Sequence, residues 1–279
     1  MATSVLAALT AEQFHQKAAT WLGQKEAENN LILGTLSNLL RKTPKERQEH
    51  YFWLVEREGA PVGAAFWTPP YKFTVTEMDV DALQLLANHL RDSYPQIPGA
   101  GGPKETVKRF SHVWNLKTQK SPLLEMSMRI YQLMQVEQVP LSPGALRNAS
   151  VEDTDFLIEW TQLLNRDSGL MDPVDERKIV EGYIREQRLF VWNDGQARAM
   201  AGYGRETPHS LSVNMVYTPE EFRNRGYATS LVSCLSQKIL DSGKKYCLLY
   251  TDLLNPTSNG IYQKIGYQPV CDWLAYRFK

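Results

Sequence analysis

The chain has 279 residues, of which 43% are apolar, so it can bury a sizeable core in one large domain or two smaller ones. Its 31 basic and 31 acidic residues cancel to a net charge of zero. This balance argues against a general nucleic-acid or membrane-surface binder, which normally carries a basic excess, so any anion recognition must be local.

The sequence gives no sign of a membrane segment, a disulfide framework or a metal site. No stretch approaches the length needed to span a bilayer, and the apolar first residues lack a preceding positive segment. Cys234, Cys247 and Cys271 are far apart without Cys-x-x-Cys spacing, and the five histidines are scattered. We therefore expect a soluble, cytoplasmic protein without a bound metal.

The first half predicts a hairpin, two helices and a final strand. Two apolar runs flank a turn at Glu58-Gly59, which indicates the hairpin. A helical run over 81–90 and a glycine-rich segment over 99–103 lead into a second helix. An alternating run over 125–131 then predicts a strand that ends this half.

Residues 139–144 have the composition of a linker and mark a boundary between two segments. We accordingly predict a first lobe over 1–138 and a second over 139–279. The hairpin and the final strand of the first half have counterparts in the second, which suggests an ancient duplication.

The second half predicts the order βααβββαβαβ. The turn at Asp194-Gly195 is a strong hairpin signal of type I′. The next strand, over 211–217, alternates apolar and polar residues, and the helix after it ends before Gly243. A nearly all-apolar run over 246–250 is typical of a parallel strand that is covered on both faces.

The first candidate motif, Arg223-Asn224-Arg225-Gly226-Tyr227-Ala228, lies between a predicted strand and a predicted helix. A helix start offers free backbone N–H groups and a positive dipole end, and Gly226 and Ala228 lack the bulk that would hold a phosphate away. The motif therefore predicts a diphosphate site. The alternative is a solvated helix start whose charged residues flank a glycine by chance.

The second candidate motif is a short predicted helix with Asn255 as N-cap, Pro256 as first residue and Gly266 just beyond its end. Capping accounts fully for the first two. It does not explain Gly260, because a glycine inside a helix costs about 1 kcal/mol relative to alanine, and this suggests close approach of a ligand. Tyr262 follows at the same end of the βα pair, where the alternative role is that of a core aromatic.

In this order and spacing the two motifs resemble those of GNAT-type N-acetyltransferases, over the segment from about Leu146 to Lys279. The resemblance implies an enzyme that transfers an acetyl group from acetyl-CoA, its co-substrate, to a primary amine of a small molecule or peptide by direct attack. The whole chain resembles two-lobed bacterial members with a degenerate first lobe. The expected fold is therefore α/β (α+β), with tandem GNAT-like lobes, each a mixed central sheet flanked by helices.

The resemblance also implies roles for individual residues. Tyr262 is expected to protonate the departing thiolate. The strand before the loop, the loop itself and the short helix are expected to contact acetyl-CoA, through Met215, Val216, Tyr217, Arg223, Asn224, Arg225, Gly226, Tyr227, Ala228, Thr229, Asn255 and Asn259.

Three questions stay open at this level. The first lobe lacks both motifs, and its segment 99–102 is interpreted as a glycine-rich connector or, alternatively, as part of a second coenzyme site. The general base is one of four nearby acids or none of them, since each also reads as a surface charge: Glu206, Glu220, Glu221 and Asp252. A rival of another class is a non-catalytic acyl-CoA-binding sensor or interaction protein, which would need neither base nor acid.

Overall fold

The computed structural model forms two compact units, one running through Ile130 and including Val270–Lys279, the other spanning Tyr131–Pro269. The order βααβββαβαβ occurs twice along the chain, which confirms the order predicted for the second half and shows that the first half repeats it. The residues that the structure describes are 2–7, 9–43, 45–47, 49–169 and 174–279.

The two occurrences have matching elements in the same sequence. In the described part of the chain, the first comprises β1 (Thr3–Leu6), α1 (Ala11–Gly23), α2 (Asn30–Arg41), β2 (Tyr51–Arg57), β3 (Ala60–Trp67), β4 (Phe73–Val75), α3 (Val80–Ser93), β5 (Gly99–Pro103), α4 (Lys104–Thr118) and β6 (Pro122–Leu133). The second comprises β7 (Ala145–Asn148), α5 (Thr154–Asp167), α6 (Glu176–Arg185), β8 (Leu189–Asp194), β9 (Gln196–Gly204), β10 (Ser210–Tyr217), α7 (Tyr227–Asp241), β11 (Tyr246–Asp252), α8 (Pro256–Ile265) and β12 (Gln268–Phe278).

The first unit is a sheet covered by helices on both faces. Strands β1 to β4 are joined by antiparallel pairs, and β4 and β5 form a parallel pair. Side chains of a strand point alternately to its two faces. In β2, Phe52 and Leu54 pack with α1 and α2, whereas Trp53 and Val55 pack with α3 and α4. A strand buried on both faces in this way reads as a continuous apolar run.

The second unit has the same layering. Strands β7 to β10 form antiparallel pairs, and β10 and β11 form a parallel pair connected by α7. In β8, Phe190 and Trp192 belong to the core on the α7 and α8 side, and Leu189 and Val191 to the core on the α5 and α6 side. The sheet therefore separates two helix layers, and the β10–α7–β11 crossover places the predicted diphosphate motif at one end of the parallel pair.

The hairpin predictions hold, with one difference in turn type. At the first hairpin both Glu58 and Gly59 have positive φ angles, 52° and 80°, as a type I′ turn requires. At the second only Gly195 does, at 70°. The predicted type I′ turn there is wrong, because Asp194 pairs with Gln196 at the end of the β8–β9 ladder and leaves Gly195 alone in the turn.

The glycine-rich segment is the strand β5, so its interpretation as a connecting loop is wrong. A Cβ atom on Gly99 would lie 2.1 Å from the Tyr276 carbonyl oxygen. A Cβ on Gly101 would lie 2.1 Å from the Trp273 ring. The glycines are thus required by the close approach of β12, which pairs with β5 in antiparallel register.

The last strand of the chain contributes to the first unit from Val270 onward, and the end of β6 contributes to the second from Tyr131 onward. The segments 1–138 and 139–279 remain a prediction about the two lobes. The compact units differ from these two segments, because β6 and β12 are each divided between the two units. Among the described residues, no helix combines the length and apolar character that crossing a membrane requires.

Candidate functional site

The loop before α7 has the backbone geometry of an anion-binding helix start. Gly226 is the N-cap, with φ of 78° and ψ of 0°, and Asn224 also has a positive φ, of 62°. Glycine adopts this left-handed conformation freely, and asparagine tolerates it better than most residues. The first helical bond runs from the Ser230 N–H to the Gly226 carbonyl oxygen at 3.0 Å. The backbone N–H groups from Gly226 to Thr229, which precede this first bond, are therefore available to a ligand.

The two arginines of the loop differ in their contacts. The Arg223 guanidinium donates to the Thr218 carbonyl oxygen at 3.0 Å and to Asp167 at 3.0 Å, and it lies over the Tyr217 ring. No described residue forms a hydrogen bond or an ion pair with the Arg225 side chain, which is exposed. The uncompensated positive charge of the loop thus resides on Arg225, whereas that of Arg223 is balanced by Asp167.

Strand β10 separates from its parallel neighbour at the end that leads into the loop. The β10–β11 pairing ends at Val213 and Leu249, although both strands continue for several residues. Pairing with β9 is irregular between Asn214 and Tyr217, and Met215 has a positive φ of 52°, so β10 carries a bulge there. The predicted residues 215–217 therefore border an opening between two strands, with backbone groups not used in the parallel ladder.

Helix α8 begins and ends at the predicted residues. The Asn255 side chain accepts from the Ser258 N–H at 3.0 Å, Pro256 opens the helix, and Gly266 follows it with a φ of 110°. A Cβ atom on Gly260 would meet nothing within 4 Å, so no part of the protein itself requires glycine at that position.

Asn259 is tied to the start of α8 but keeps one free oxygen. Its Nδ2 donates to the Asp252 carbonyl oxygen at 2.9 Å and to the Asn255 carbonyl oxygen at 2.7 Å. Within the described chain, three buried side-chain oxygens around the opening have no hydrogen-bond partner: Asn214 Oδ1, Thr218 Oγ1 and Asn259 Oδ1. Because buried polar atoms are normally satisfied, these oxygens mark a place for a ligand with N–H or O–H donors.

The Tyr262 side chain is only 6% exposed and belongs to the core on the α7 and α8 side. Its ring lies edge to face with Tyr267, the centroids 6.0 Å apart, and its hydroxyl bonds to no described residue. Burial raises the pKa of the Tyr262 phenol, so the group keeps its proton at physiological pH. Val216, Tyr227 and Tyr262 pack in this one core, which brings together a residue from each of the three predicted segments.

The loop also contains a buried tyrosine. The Tyr227 hydroxyl donates to Asp194 at 2.8 Å, and this bond raises the pKa of the Tyr227 phenol. The side chain is therefore committed to the core and to Asp194. Tyr227 can therefore meet a ligand through its backbone N–H but not through its side chain. The backbone N–H groups of Ala228 and Thr229, in the same first turn of α7, are also free.

The four acids considered as a base occupy different positions. Glu206 precedes β10, at the opposite end of the strand from the loop, and forms an ion pair with Lys244 at 2.9 Å. Glu220 and Glu221 lie exposed in a short 3₁₀ turn after β10, and Asp252 is exposed at the end of β11. Glu206 is thus the one candidate that the structure separates from the loop.

The corresponding crossover of the first unit, β4–α3–β5, has a different helix start. Asp79 is the N-cap of α3, and its carboxylate accepts from the Ala82 N–H at 2.9 Å and from Arg57 at 2.7 Å. The backbone hydrogen bond from Ala82 is the main cause that lowers the pKa of Asp79, with Arg57 adding to it. A fixed carboxylate therefore stands where the second unit has a glycine, which disfavours a phosphate there.

Three solved structures resemble almost the whole chain. A GNAT-family acetyltransferase from Colwellia psychrerythraea is 11% identical, with 99% of this chain and 100% of that chain covered and a TM-score of 0.60. A GCN5-related N-acetyltransferase from Sphaerobacter thermophilus is 14% identical, with 99% and 95% covered and a TM-score of 0.63. A tandem GNAT protein from the clavulanic acid biosynthesis pathway is 12% identical, with 99% and 98% covered and a TM-score of 0.56.

The chain therefore has the GNAT acetyltransferase fold in its tandem form, as the resemblance of the sequence implied. Within the second half, residues 194–277 match the family described as FR47-like protein. This match contains both predicted motifs. No curated protein sequence matches the chain significantly.

Proposed function

We propose that the protein is an N-acetyltransferase that moves the acetyl group of acetyl-CoA to a primary amine, on a small molecule or a peptide, in the cytoplasm. The observation that carries the proposal is the free helix start at Gly226 beside the opening between β10 and β11. The helix start offers N–H donors for a diphosphate, and the opening between the strands offers space for an extended chain with amide groups.

The residues present fit acetyl-CoA at this place. The N–H groups from Gly226 onward and the Arg225 charge would hold the diphosphate. The backbone of residues 215–217 would meet the pantetheine arm, and the free oxygens of Asn214 and Asn259 would accept its amide N–H groups. Asn255 contributes by fixing the start of α8.

Direct transfer sets three tasks. The amine that forms the new C–N bond must lose a proton, directly or through water, and the acids at the loop's end of the strands that could take it are Glu220, Glu221 and Asp252. A backbone N–H of the β10 bulge would stabilise the negative charge that develops on the carbonyl oxygen. Tyr262 would donate its phenolic proton to the departing thiolate. Burial opposes ionisation of the phenol, but it opposes ionisation of a neighbouring thiol as well, so the proton transfer replaces one buried anion by another.

The proposal is tested by a transfer assay with acetyl-CoA and a panel of amines, amino acids, polyamines and peptides, read by thiol release. We expect release that depends on an acceptor, above the rate of acetyl-CoA hydrolysis without acceptor. Tight coenzyme binding without acceptor-dependent release across the panel would instead indicate the non-catalytic binder, which no described residue specifically favours.

The raised pKa of Tyr262 predicts how the rate depends on pH. An ordinary phenol is half ionised at about pH 10, and burial moves the pKa of Tyr262 above this value. The proton that the mechanism needs therefore stays in place as the pH rises. We expect kcat, at saturating substrates, not to fall between about pH 8 and about pH 10. A decline within this window, while circular dichroism shows an intact fold, would contradict the assignment.

A further inference from the structure

Ser142, in the segment interpreted as a linker, forms hydrogen bonds with the loop over residues 223–226 and with the first turn of α7. Its Oγ donates to the Arg225 carbonyl oxygen at 2.7 Å, and its backbone N–H donates to Ser230 Oγ at 2.7 Å. Ser230 Oγ in turn donates to the Gly226 carbonyl oxygen at 3.1 Å. Two successive carbonyl groups of the loop are thus fixed by serine hydroxyls.

The segment that carries Ser142 is itself anchored to β8. Trp192 Nε1 donates to the Pro143 carbonyl oxygen at 2.9 Å. Gly144 has a φ of 110°, and a Cβ atom there would lie 2.4 Å from the Asn193 carbonyl oxygen. Ser142 is therefore held by a buried tryptophan and a close backbone contact, which makes it a firm support for the loop.

Because a peptide group is planar, fixing its C=O group also fixes the direction of its N–H group. A trans peptide group points its C=O and its N–H in opposite directions. Holding the Arg225 carbonyl therefore orients the Gly226 N–H, and holding the Gly226 carbonyl orients the Tyr227 N–H. These N–H groups belong to the helix start where an anion is favoured.

We propose that Ser142 is a positioning residue whose hydroxyl, through the Arg225 carbonyl, aims the Gly226 N–H group at the coenzyme diphosphate, an inference that rests on the proposed function. The residue contacts the loop and not the reacting atoms. Its removal is expected to affect ligands that contain the diphosphate and to spare ligands that lack it.

The test compares Ser142→Ala with wild type in two measurements. Calorimetric titration with CoA should show a Kd about tenfold higher for the variant, the size expected for the loss of one hydrogen bond. In the transfer assay, the KM for acetyl-CoA should rise similarly with kcat kept, whereas kcat/KM for S-acetyl-pantetheine, which has no diphosphate, should stay unchanged. The matched control is Ser242→Ala, since Ser242 Oγ donates to the Ile239 carbonyl oxygen at 2.6 Å at the other end of α7.

The outcomes separate this inference from the function on which it rests. An unchanged Kd for CoA in Ser142→Ala, or an equal loss with both acetyl donors, would overturn the role of Ser142 while leaving the acetyltransferase intact. A wild-type protein that fails to bind CoA would instead overturn the proposed function.

Discussion

Replacing Tyr262 by phenylalanine is expected to lower kcat by about 10²-fold or more, because it removes the proton that the leaving thiolate needs and keeps the ring. The ring packs in the core around α7 and α8, so the fold should persist. The affinity for CoA should change little, since the phenolic proton acts on the reacting sulfur and not on the diphosphate. The measurement is steady-state kinetics with a working acceptor, together with calorimetric titration of CoA.

The control for this prediction is Tyr267→Phe. Tyr267 is also buried beside Tyr262, but its hydroxyl is hydrogen bonded to Ser236 at 2.8 Å. This variant should lose about 1–3 kcal/mol of stability, because the buried Ser236 hydroxyl loses its partner, without losing kcat. If Tyr262→Phe retains full kcat under conditions in which chemistry limits the rate, Tyr262 is a packed aromatic and another group protonates the thiolate.

Replacing Gly226 by valine is expected to raise the Kd for CoA at least 100-fold. A β-branched residue is strained at a φ of 78°, and its Cβ atom would lie 2.8 Å from Ser142 Oγ. The added side chain also occupies the helix start where the phosphates should lie. The strain alone costs about 1–3 kcal/mol of stability, so binding is measured on variant protein that circular dichroism shows to be folded.

The matched control for Gly226 is Gly243→Val. Gly243 also has a positive φ, of 93°, but a Cβ atom there would meet nothing within 4 Å, and it lies at the far end of α7. The control therefore introduces the same kind of backbone strain away from the loop. Normal CoA binding by folded Gly226→Val, or an equal loss in both variants, would show that the loop does not hold the coenzyme.

Features set by local chemistry could be predicted from the sequence. The limits of α8 follow from Asn255, Pro256 and Gly266, whose capping preferences act within one helical turn. The β10–α7–β11 crossover follows from residue periodicity and from Gly243, which favours the left-handed conformation that ends α7. Such signals lie within a few residues of the structure that they determine.

Features set by distant contacts could not be predicted. Residues 99–103 form a strand although glycine disfavours strands, because Trp273 and the Tyr276 backbone, far along the chain, leave no room for side chains. The role of Ser142 could not be predicted for the same reason, because its partners Arg225 and Ser230 lie far away in the sequence. The ion pair between Arg223 and Asp167 could not be predicted either, because α5 contacts the loop only in the folded chain.

The most direct test of this site assignment is a calorimetric titration of the protein with acetyl-CoA. One coenzyme site is expected at the Gly226 loop and none in the first unit, because the Asp79 carboxylate caps α3 there. We therefore expect a stoichiometry of one acetyl-CoA per chain. Two equivalent sites per chain, or no binding at all, would contradict it.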